Sequence, residues 1–316
     1  MNKIILFLII TTSLFSSNIK KPDLQLKADA AVIDIVYNDN KLYVSTIASV
    51  VNIFDLKTYK KIKTIKLPKI KDFMGDNVNA KVYSVDVLNS RILILSQAEH
   101  GYRSVFLYEN NQLTQIISAE KKLSIAKAKF IDSNTIAMAL LSNDIISYNI
   151  KEKKQNWSIQ ASQSKFSNFV LNEKKTEVVI CDESGDLHIV DINDGKILKT
   201  LSGQNLDNVF QVDYKNGIIA TAGQDRRAVI YNMKFNSAYY KTADFLIYSV
   251  GLSPSGKIAG YASDENNNVT LFKTATKSEI GVFGGNAMTI TNILFLNENE
   301  FFISSDDKII NFYRLN

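Results

Sequence analysis

The chain has 316 residues, 46% hydrophobic and 22% charged, with a formal net charge of +5. This is the composition of a globular protein with enough chain to bury a large core. The single cysteine, Cys181, excludes an intramolecular disulfide. Because Cys181 follows three apolar residues and precedes two acidic ones, we predict a small buried hydrophobe, not a reactive thiol.

The N-terminus has the layout of a secretory signal peptide. The stretch "MNKIILFLIITTSLFSS" contains one lysine, then an apolar run, then small residues. We predict a signal peptide over residues 1–16, cleaved near Ser16 or Ser17, and one exported domain over 17–316. An uncleaved N-terminal anchor is the alternative. No later segment is apolar enough to span a bilayer, so we expect no transmembrane anchor in the mature chain.

A basic run follows the first predicted strands. The segment "LKTYKKIKTIKLPKIKD" has seven lysines against Asp72 alone. Some of these lysines alternate with Ile62 and Ile65, which favours an outermost strand with a charged solvent side. A docking patch for an acidic partner is the alternative. Because we expect the protein to be exported, we expect no nucleic-acid partner.

The chain is built from seven similar units. Strand-like stretches "VNIFDL", "VFLYEN", "IISYNI", "LHIVDI", "AVIYNM", "VTLFKT" and "IINFYR" recur at intervals of 54, 40, 42, 41, 41 and 40 residues. Their marker positions are Phe54, Tyr108, Tyr148, Val190, Tyr231, Phe272 and Phe312. This period matches the blade length of propellers. No segment has a helical period of helix length, so we predict an all-β, seven-bladed β-propeller.

The units resemble WD40 repeats, as in "LSPSGKIAGYASDENNNVTLFK". The match is degenerate, because the Trp-Asp position holds Phe54-Asp55 in one unit and Val190-Asp191 in another. Gly-His pairs are lacking, so the His–Asp tetrads of the family cannot form. We therefore expect apolar packing between blades to replace them.

The seventh unit has only three strands before the chain ends. A ring is stable when its first and last blades are joined, because closure removes exposed strand edges. The segment "PDLQLKA" near the N-terminus alternates apolar residues at Leu24 and Leu26. We predict that residues 23–28 supply the outer strand of blade seven.

Two unusual loops carry the candidate partner-binding residues. An insertion, "LPKIKDFMGDNVNAK", separates blades one and two, and "SQAEHGYRS" is a long loop within blade two. They hold residues of types enriched at protein interfaces: Phe73, Met74, His100, Tyr102 and Arg103. Arg226 and Arg227 in a blade-five loop are further candidates. Phe73 and Met74 folded back as a plug on the barrel is the alternative.

Catalysis has little support in the sequence. There are two histidines, no paired metal-ligand spacing, and no nucleophile motif. We expect His188, within "LHIVDI", to be packed or at an edge. Acidic turn residues such as Asp182 and Asp225 are expected to be mostly solvated. We therefore assign no catalytic, metal or cofactor residue. A metal-dependent hydrolase or lactonase with its site in the central channel remains the alternative.

Several stretches resemble a narrower family, the NapL-type WD-repeat accessory proteins of periplasmic nitrate reductase systems. They include "KLPKIKDFMGD", "NVFQVDYKNGIIATAGQDRRAVIY", "FLIYSVGLSPSGKIAGYASDENNNVTLF" and "TNILFLNENEFFISSDDKI". The resemblance implies a periplasmic, non-catalytic scaffold, expected to be a monomer, that supports the assembly or electron supply of nitrate reductase. It implies components of that system as partners. The family has no defined catalytic residues, so none are carried over.

Overall fold

A computed structural model describes residues 19–315. The predicted signal peptide and its cleavage site lie outside the described residues. The described chain forms seven four-stranded antiparallel sheets and one two-stranded hairpin. The innermost strands of successive sheets contact each other around a complete circuit, so the sheets form a ring. The prediction of an all-β, seven-bladed β-propeller is confirmed.

The strands follow one another from the centre of the ring to its rim. Strand β1 (Leu24–Lys27) precedes blade one. Blade one contains β2 (Val32–Asn38), β3 (Lys41–Thr46), β4 (Val50–Asp55) and β5 (Lys60–Lys66). The hairpin β6 (Ile70–Lys71) and β7 (Asn77–Val78) comes next. Blade two contains β8 (Val82–Leu88), β9 (Arg91–Gln97), β10 (Arg103–Glu109) and β11 (Gln112–Ile117).

The remaining blades repeat this order. Blade three contains β12 (Ile125–Phe130), β13 (Thr135–Leu140), β14 (Asp144–Asn149) and β15 (Lys154–Gln160). Blade four contains β16 (Phe166–Leu171), β17 (Glu177–Asp182), β18 (Leu187–Asp191) and β19 (Ile197–Leu201). Blade five contains β20 (Val209–Lys215), β21 (Ile218–Gly223), β22 (Arg227–Asn232) and β23 (Ser237–Thr242). Blade six contains β24 (Val250–Leu252), β25 (Ile258–Ala262), β26 (Val269–Lys273) and β27 (Glu279–Phe283).

Blade seven is completed by the N-terminal strand. It contains β28 (Ile290–Phe295), β29 (Glu300–Ser305) and β30 (Ile309–Arg314), and its sheet order is β1-β30-β29-β28. Within this pairing Leu24 lies opposite Phe312 and Leu26 opposite Ile310. The predicted closure of the ring by the N-terminal strand is confirmed. All seven marker positions also fall in the third strand of their blade, as the period predicted.

Apolar packing joins the blades. Residues 19–315 form seven buried hydrophobic clusters, and each combines side chains from two neighbouring blades. For example, Leu26, Val44, Phe302 and Phe312 share a cluster between blades seven and one. Each blade therefore buries the apolar face of the next, which accounts for most of the stability of the ring.

Polar contacts supplement this apolar packing. The expectation that apolar packing alone replaces the family's tetrads is therefore wrong. In blade five, Asn205 Oδ1 accepts a hydrogen bond from Thr221 Oγ1 at 2.7 Å, and Asn205 Nδ2 lies 3.4 Å from Asp225 Oδ1. In blade seven, Asn311 Nδ2 donates to Asn286 Oδ1 at 2.8 Å. In both cases an asparagine from the segment between two blades contacts the following blade, and no histidine takes part in these contacts.

The described part of the chain has no α-helix and only two short 3-10 turns, Glu99–Gly101 and Ala119–Lys121. Within it, no helix is long and apolar enough to cross a membrane.

Cys181 is fully buried in β17, as predicted, and burial raises the pKa of its thiol. His188 is 8% exposed within β18, and its packed position confirms that prediction.

Candidate interaction face

The insertion between blades one and two forms a hairpin with an apolar tip. Asp72 Oδ1 accepts hydrogen bonds from the backbone nitrogens of Met74 and Asp76, each at 2.9 Å, and so stabilises the turn. Gly75 has a φ of 89°, a conformation that favours glycine. Phe73 is 95% exposed and Met74 73% exposed. The alternative of a plug folded onto the barrel is therefore wrong, because neither side chain packs against the protein.

The structure brings this hairpin beside the long loop of blade two. The backbone nitrogen of Lys71 donates to Glu99 Oε1 at 3.4 Å. His100 lies exposed in the same short 3-10 turn, with a φ of 57°. A groove of about 410 Å³ runs between the two segments and blade two; its walls include Pro68, Ile70, Ala98 and Phe106. The loops that join second to third strands, and those that join successive blades, form one face of the ring, here called the loop face.

Tyr102 and Arg103 are held more tightly than their neighbour His100. Both are partly buried. The Arg103 guanidinium lies 4.2 Å from the centroid of the Tyr83 ring and donates to the Tyr102 carbonyl oxygen at 3.1 Å. Arg103 therefore supports the wall of the loop, whereas His100 is its exposed part.

Arg226 and Arg227 belong to the loop face but lie away from the hairpin. Arg226 is exposed, with a φ of 62°. Arg227 donates to the Gln204 carbonyl oxygen at 2.7 Å and stacks 4.3 Å from the Tyr240 ring centroid. Blade five lies across the ring from blade two. The structure therefore does not bring these arginines together with Phe73 and Met74.

The basic run extends from the rim of blade one to the hairpin. Strand β5 is the outermost strand of its blade, as predicted, and its exposed residues are three lysines and Ile62. Lys61 is paired with Asp29. Within residues 19–315, no carboxylate lies within 4.0 Å of the ammonium groups of Lys66, Lys69 or Lys71, which are all exposed. Positive charge without local partners thus lies along the base of the apolar tip.

Asp182 does not occupy a solvated turn, which corrects the sequence-based expectation. It is fully buried, and its Oδ2 accepts hydrogen bonds from Ser162 Oγ at 2.6 Å and Asn143 Nδ2 at 2.9 Å. Its Oδ1 accepts from the hydroxyl of Ser184 at 2.5 Å. Burial opposes ionisation, but contacts from His188, Ser162 and Ser184 outweigh it and hold the pKa of Asp182 well below its ordinary value. Asp182 is a structural anchor of blade four.

The central channel is lined by charged side chains of the innermost strands. Lys129 Nζ lies 3.3 Å from Asp34 Oδ2 and 4.0 Å from Asp86 Oδ1. The backbone nitrogens of Val85 and Phe130 donate to Asp34 at 3.1 Å and Asp86 at 2.7 Å. Burial disfavours the Lys129 ammonium, but the two carboxylates outweigh it and raise the Lys129 pKa. Throughout residues 19–315, no three His, Cys, Asp or Glu side chains are grouped so as to hold a metal ion.

Comparison with known proteins identifies the fold. No protein-family profile and no curated protein sequence matches the chain. In contrast, 1852 chains of solved structures match, so the architecture by itself selects no particular activity. One is a chain of the "Crystal Structure of Mitotic Checkpoint Complex", with a TM-score of 0.74 and 12% sequence identity, over 99% of this chain and 97% of that chain. The protein has the fold of a seven-bladed β-propeller.

Proposed function

We propose that this propeller is a non-catalytic scaffold that binds another protein through its loop face, with the insertion hairpin as the main contact. The observation that carries the proposal is the exposure of Phe73 and Met74 at a turn built by Asp72. Aromatic residues and methionine are enriched at protein interfaces. A projecting apolar tip stabilises a complex when it enters a partner's pocket, because both surfaces lose contact with water.

The charges around the tip indicate the chemistry of the partner. Lys66, Lys69 and Lys71 are exposed, and no carboxylate of the described chain lies within 4.0 Å of their ammonium groups. A partner with acidic side chains around an apolar pocket would complement both features. Such complementarity raises the association rate and favours one orientation of the complex.

The finer proposal is that the protein works in the periplasm with components of a nitrate reductase system. Its support is the resemblance of four stretches of the sequence to the NapL-type accessory proteins. One of these stretches, "KLPKIKDFMGD", contains the apolar tip itself. In this role the propeller supports assembly of the reductase or its supply of electrons.

Affinity capture tests both levels of the proposal. The tagged protein is recovered from the periplasm of nitrate-respiring cells, its companions are identified by mass spectrometry, and its metal content is measured. We expect a nitrate reductase component with the wild type, and its loss with Phe73→Ala combined with Met74→Ala. The matched control is Phe235→Ala, because Phe235 is 71% exposed but lies in the turn between β22 and β23, on the opposite face.

Other results would contradict the proposal at different levels. A specific companion unrelated to nitrate reduction, lost with the double variant, would contradict only the nitrate reductase role. Companions that bind the wild type and the double variant equally would contradict the docking site. Stoichiometric metal without any companion would contradict the scaffold and favour the hydrolase alternative.

A further inference from the structure

The channel contains a second lysine whose charge is not neutralised. Lys127 and Lys129 are two residues apart on β12, so both side chains face the channel. Lys127 Nζ donates to Asn168 Oδ1 at 2.6 Å and to the Phe169 carbonyl oxygen at 2.8 Å. Among residues 19–315 no carboxylate lies within 4.0 Å of this ammonium, whereas Lys129 has two. Lys127 is therefore a partly buried cation held by two neutral oxygens and by the ring of Phe169, whose centroid lies 5.4 Å from the ammonium.

The burial of Lys127 and its lack of a counter-ion lower its pKa. Burial, followed by repulsion from Lys129, lowers the Lys127 pKa to about 8. Asp34, Asp213 and the Cys181 thiol are the other titratable groups that face it. Of these, the two carboxylates offset part of this effect, whereas the thiol stays neutral because burial raises its pKa. A cation taken out of water without a counter-ion is costly, so an anion placed beside it would be bound favourably.

Lys127 lies at the boundary between two cavities. Four residues line both of them: Asp34, Lys127, Gln211 and Asn292. The amides of Gln211 and Asn292 are already engaged, since Gln211 Oε1 accepts from the Val250 nitrogen at 2.9 Å and Asn292 Nδ2 donates to the Ile33 carbonyl oxygen at 3.1 Å. Asp34 is paired with Lys129 at 3.3 Å, so Lys127 is the member of this boundary whose charge has no ion-pair partner among residues 19–315.

The cavity on the loop-face side of Lys127 has aromatic walls. Its volume is about 380 Å³, and Tyr83, Phe166, Phe210 and Tyr248 line it. The rings of Phe210 and Tyr248 stack with centroids 5.1 Å apart. The rest of the lining is mixed: it includes Asp34, which is paired with Lys129, and serine, threonine and amide side chains. A stacked aromatic pair together with a few polar groups is a combination found in small-molecule sites, in which the polar groups fix the orientation.

We propose that this cavity binds a carboxylate with a small apolar or aromatic body, and that its carboxylate group pairs with Lys127. The body would lie against the rings of Phe210 and Tyr248. The ligand is either a free organic acid or the C-terminal residue of a peptide, because both present the same chemistry. This site is independent of the proposed hairpin interface, and either one could exist without the other.

Calorimetric titration of the purified protein tests the site with phenylacetate as the probe. We expect a Kd on the order of 1 mM or tighter for phenylacetate and no measurable binding of phenylacetamide, which lacks the charge. N-acetylphenylalanine and its amide form the second pair of probes. Tighter binding of N-acetylphenylalanine than of phenylacetate identifies a peptide C-terminus, and the reverse order identifies a free acid.

Two further measurements connect binding to Lys127. Lys127→Met should weaken phenylacetate binding at least about ten-fold, because it removes a charge-assisted hydrogen bond. The control is Lys215→Met, which should leave binding unchanged because Lys215 is already 3.6 Å from Asp213.

In the wild type, where folding is not in question, the affinity for phenylacetate should fall as the pH rises above about 8, because the Lys127 ammonium loses its proton. Equal binding of acid and amide, no binding of either, or unchanged affinity in Lys127→Met would overturn the proposal.

Discussion

Leu26 in the first strand lies directly opposite Ile310 in the last, and both side chains are buried in the cluster that joins blades seven and one. The backbone nitrogen of Ala28 donates to the Lys308 carbonyl oxygen at 2.8 Å, which extends the pairing beyond the strand. The two ends of the chain therefore hold the ring closed. Opening it would expose two strand edges and the apolar surface between them.

Shortening Leu26 should destabilise the whole propeller. Leu26→Ala removes a side chain that is 2% exposed, so we expect a loss of about 2–5 kcal/mol in the free energy of unfolding. Lys27→Ala is the control, because Lys27 is exposed on the same strand and should change the stability little. Urea denaturation followed by circular dichroism measures both. Equal stability of the two variants would show that the N-terminal strand does not close the ring.

Asp182→Asn should destabilise the protein in a pH-dependent way. The folded state holds the pKa of Asp182 below its ordinary value of 3.8. The ionised carboxylate therefore contributes its full stability above that value and loses it as the pH falls towards the folded pKa. At neutral pH we expect a cost of about 1–3 kcal/mol, because buried donors lose a charged acceptor.

The difference between wild type and Asp182→Asn should shrink below about pH 4. Thermal unfolding at neutral pH and near pH 3 measures it. Glu183→Gln is the control, since the exposed Glu183 pairs with Lys165 at 3.0 Å at the surface and should contribute little. A difference that is constant with pH would contradict the role of the ionised carboxylate.

Cys181 should resist thiol reagents while the protein is folded. Burial raises the pKa of this thiol, and the thiolate is the reactive form. We expect no alkylation by iodoacetamide at pH 8 in buffer and complete alkylation in denaturant, with mass spectrometry as the measurement. Rapid labelling of the native protein would place the thiol at the surface.

The lysines at the base of the hairpin should govern the rate at which the partner associates. Replacing Lys66, Lys69 and Lys71 by Gln should lower the association rate with the captured partner, and the wild-type rate should fall as salt rises. The control replaces Lys151, Lys153 and Lys154, which are exposed on blade three, by Gln. Surface plasmon resonance measures the rates. Equal rates for the two triple variants would contradict a basic docking patch.

Much of the fold could be predicted because its signals are local and repeated. The period of the third-strand markers fixed the number of blades, and the missing last strand pointed to Leu24 and Leu26. The lysines of β5 indicated its outermost position, which the structure confirms; of the two isoleucines expected on its inner side, Ile65 is buried but Ile62 is 53% exposed. Each of these patterns reflects a contact that every blade, or every sheet edge, must make.

The environments of individual side chains depend on tertiary packing, which no local sequence pattern predicts. An aspartate that follows a strand looks the same whether it is solvated or, like Asp182, accepts buried hydrogen bonds. The sequence did not distinguish an exposed Phe73 from a Phe73 packed onto the barrel as a plug. Both structures require an apolar residue at the tip of a loop insertion. Lys127 and Lys129 did leave a signal, since "IAKAKF" places two lysines on one side of an innermost strand. That signal was missed because strand position alone does not tell which cation lacks a carboxylate.

Photocrosslinking in living cells tests the proposed docking face most directly. The photoreactive residue p-benzoylphenylalanine replaces Phe73 in one strain and Phe235, on the opposite face, in the other. We expect irradiation to join one specific protein to the chain only when the reactive group is at position 73. The same product from both positions, or none from position 73, would contradict an interaction face at the insertion hairpin.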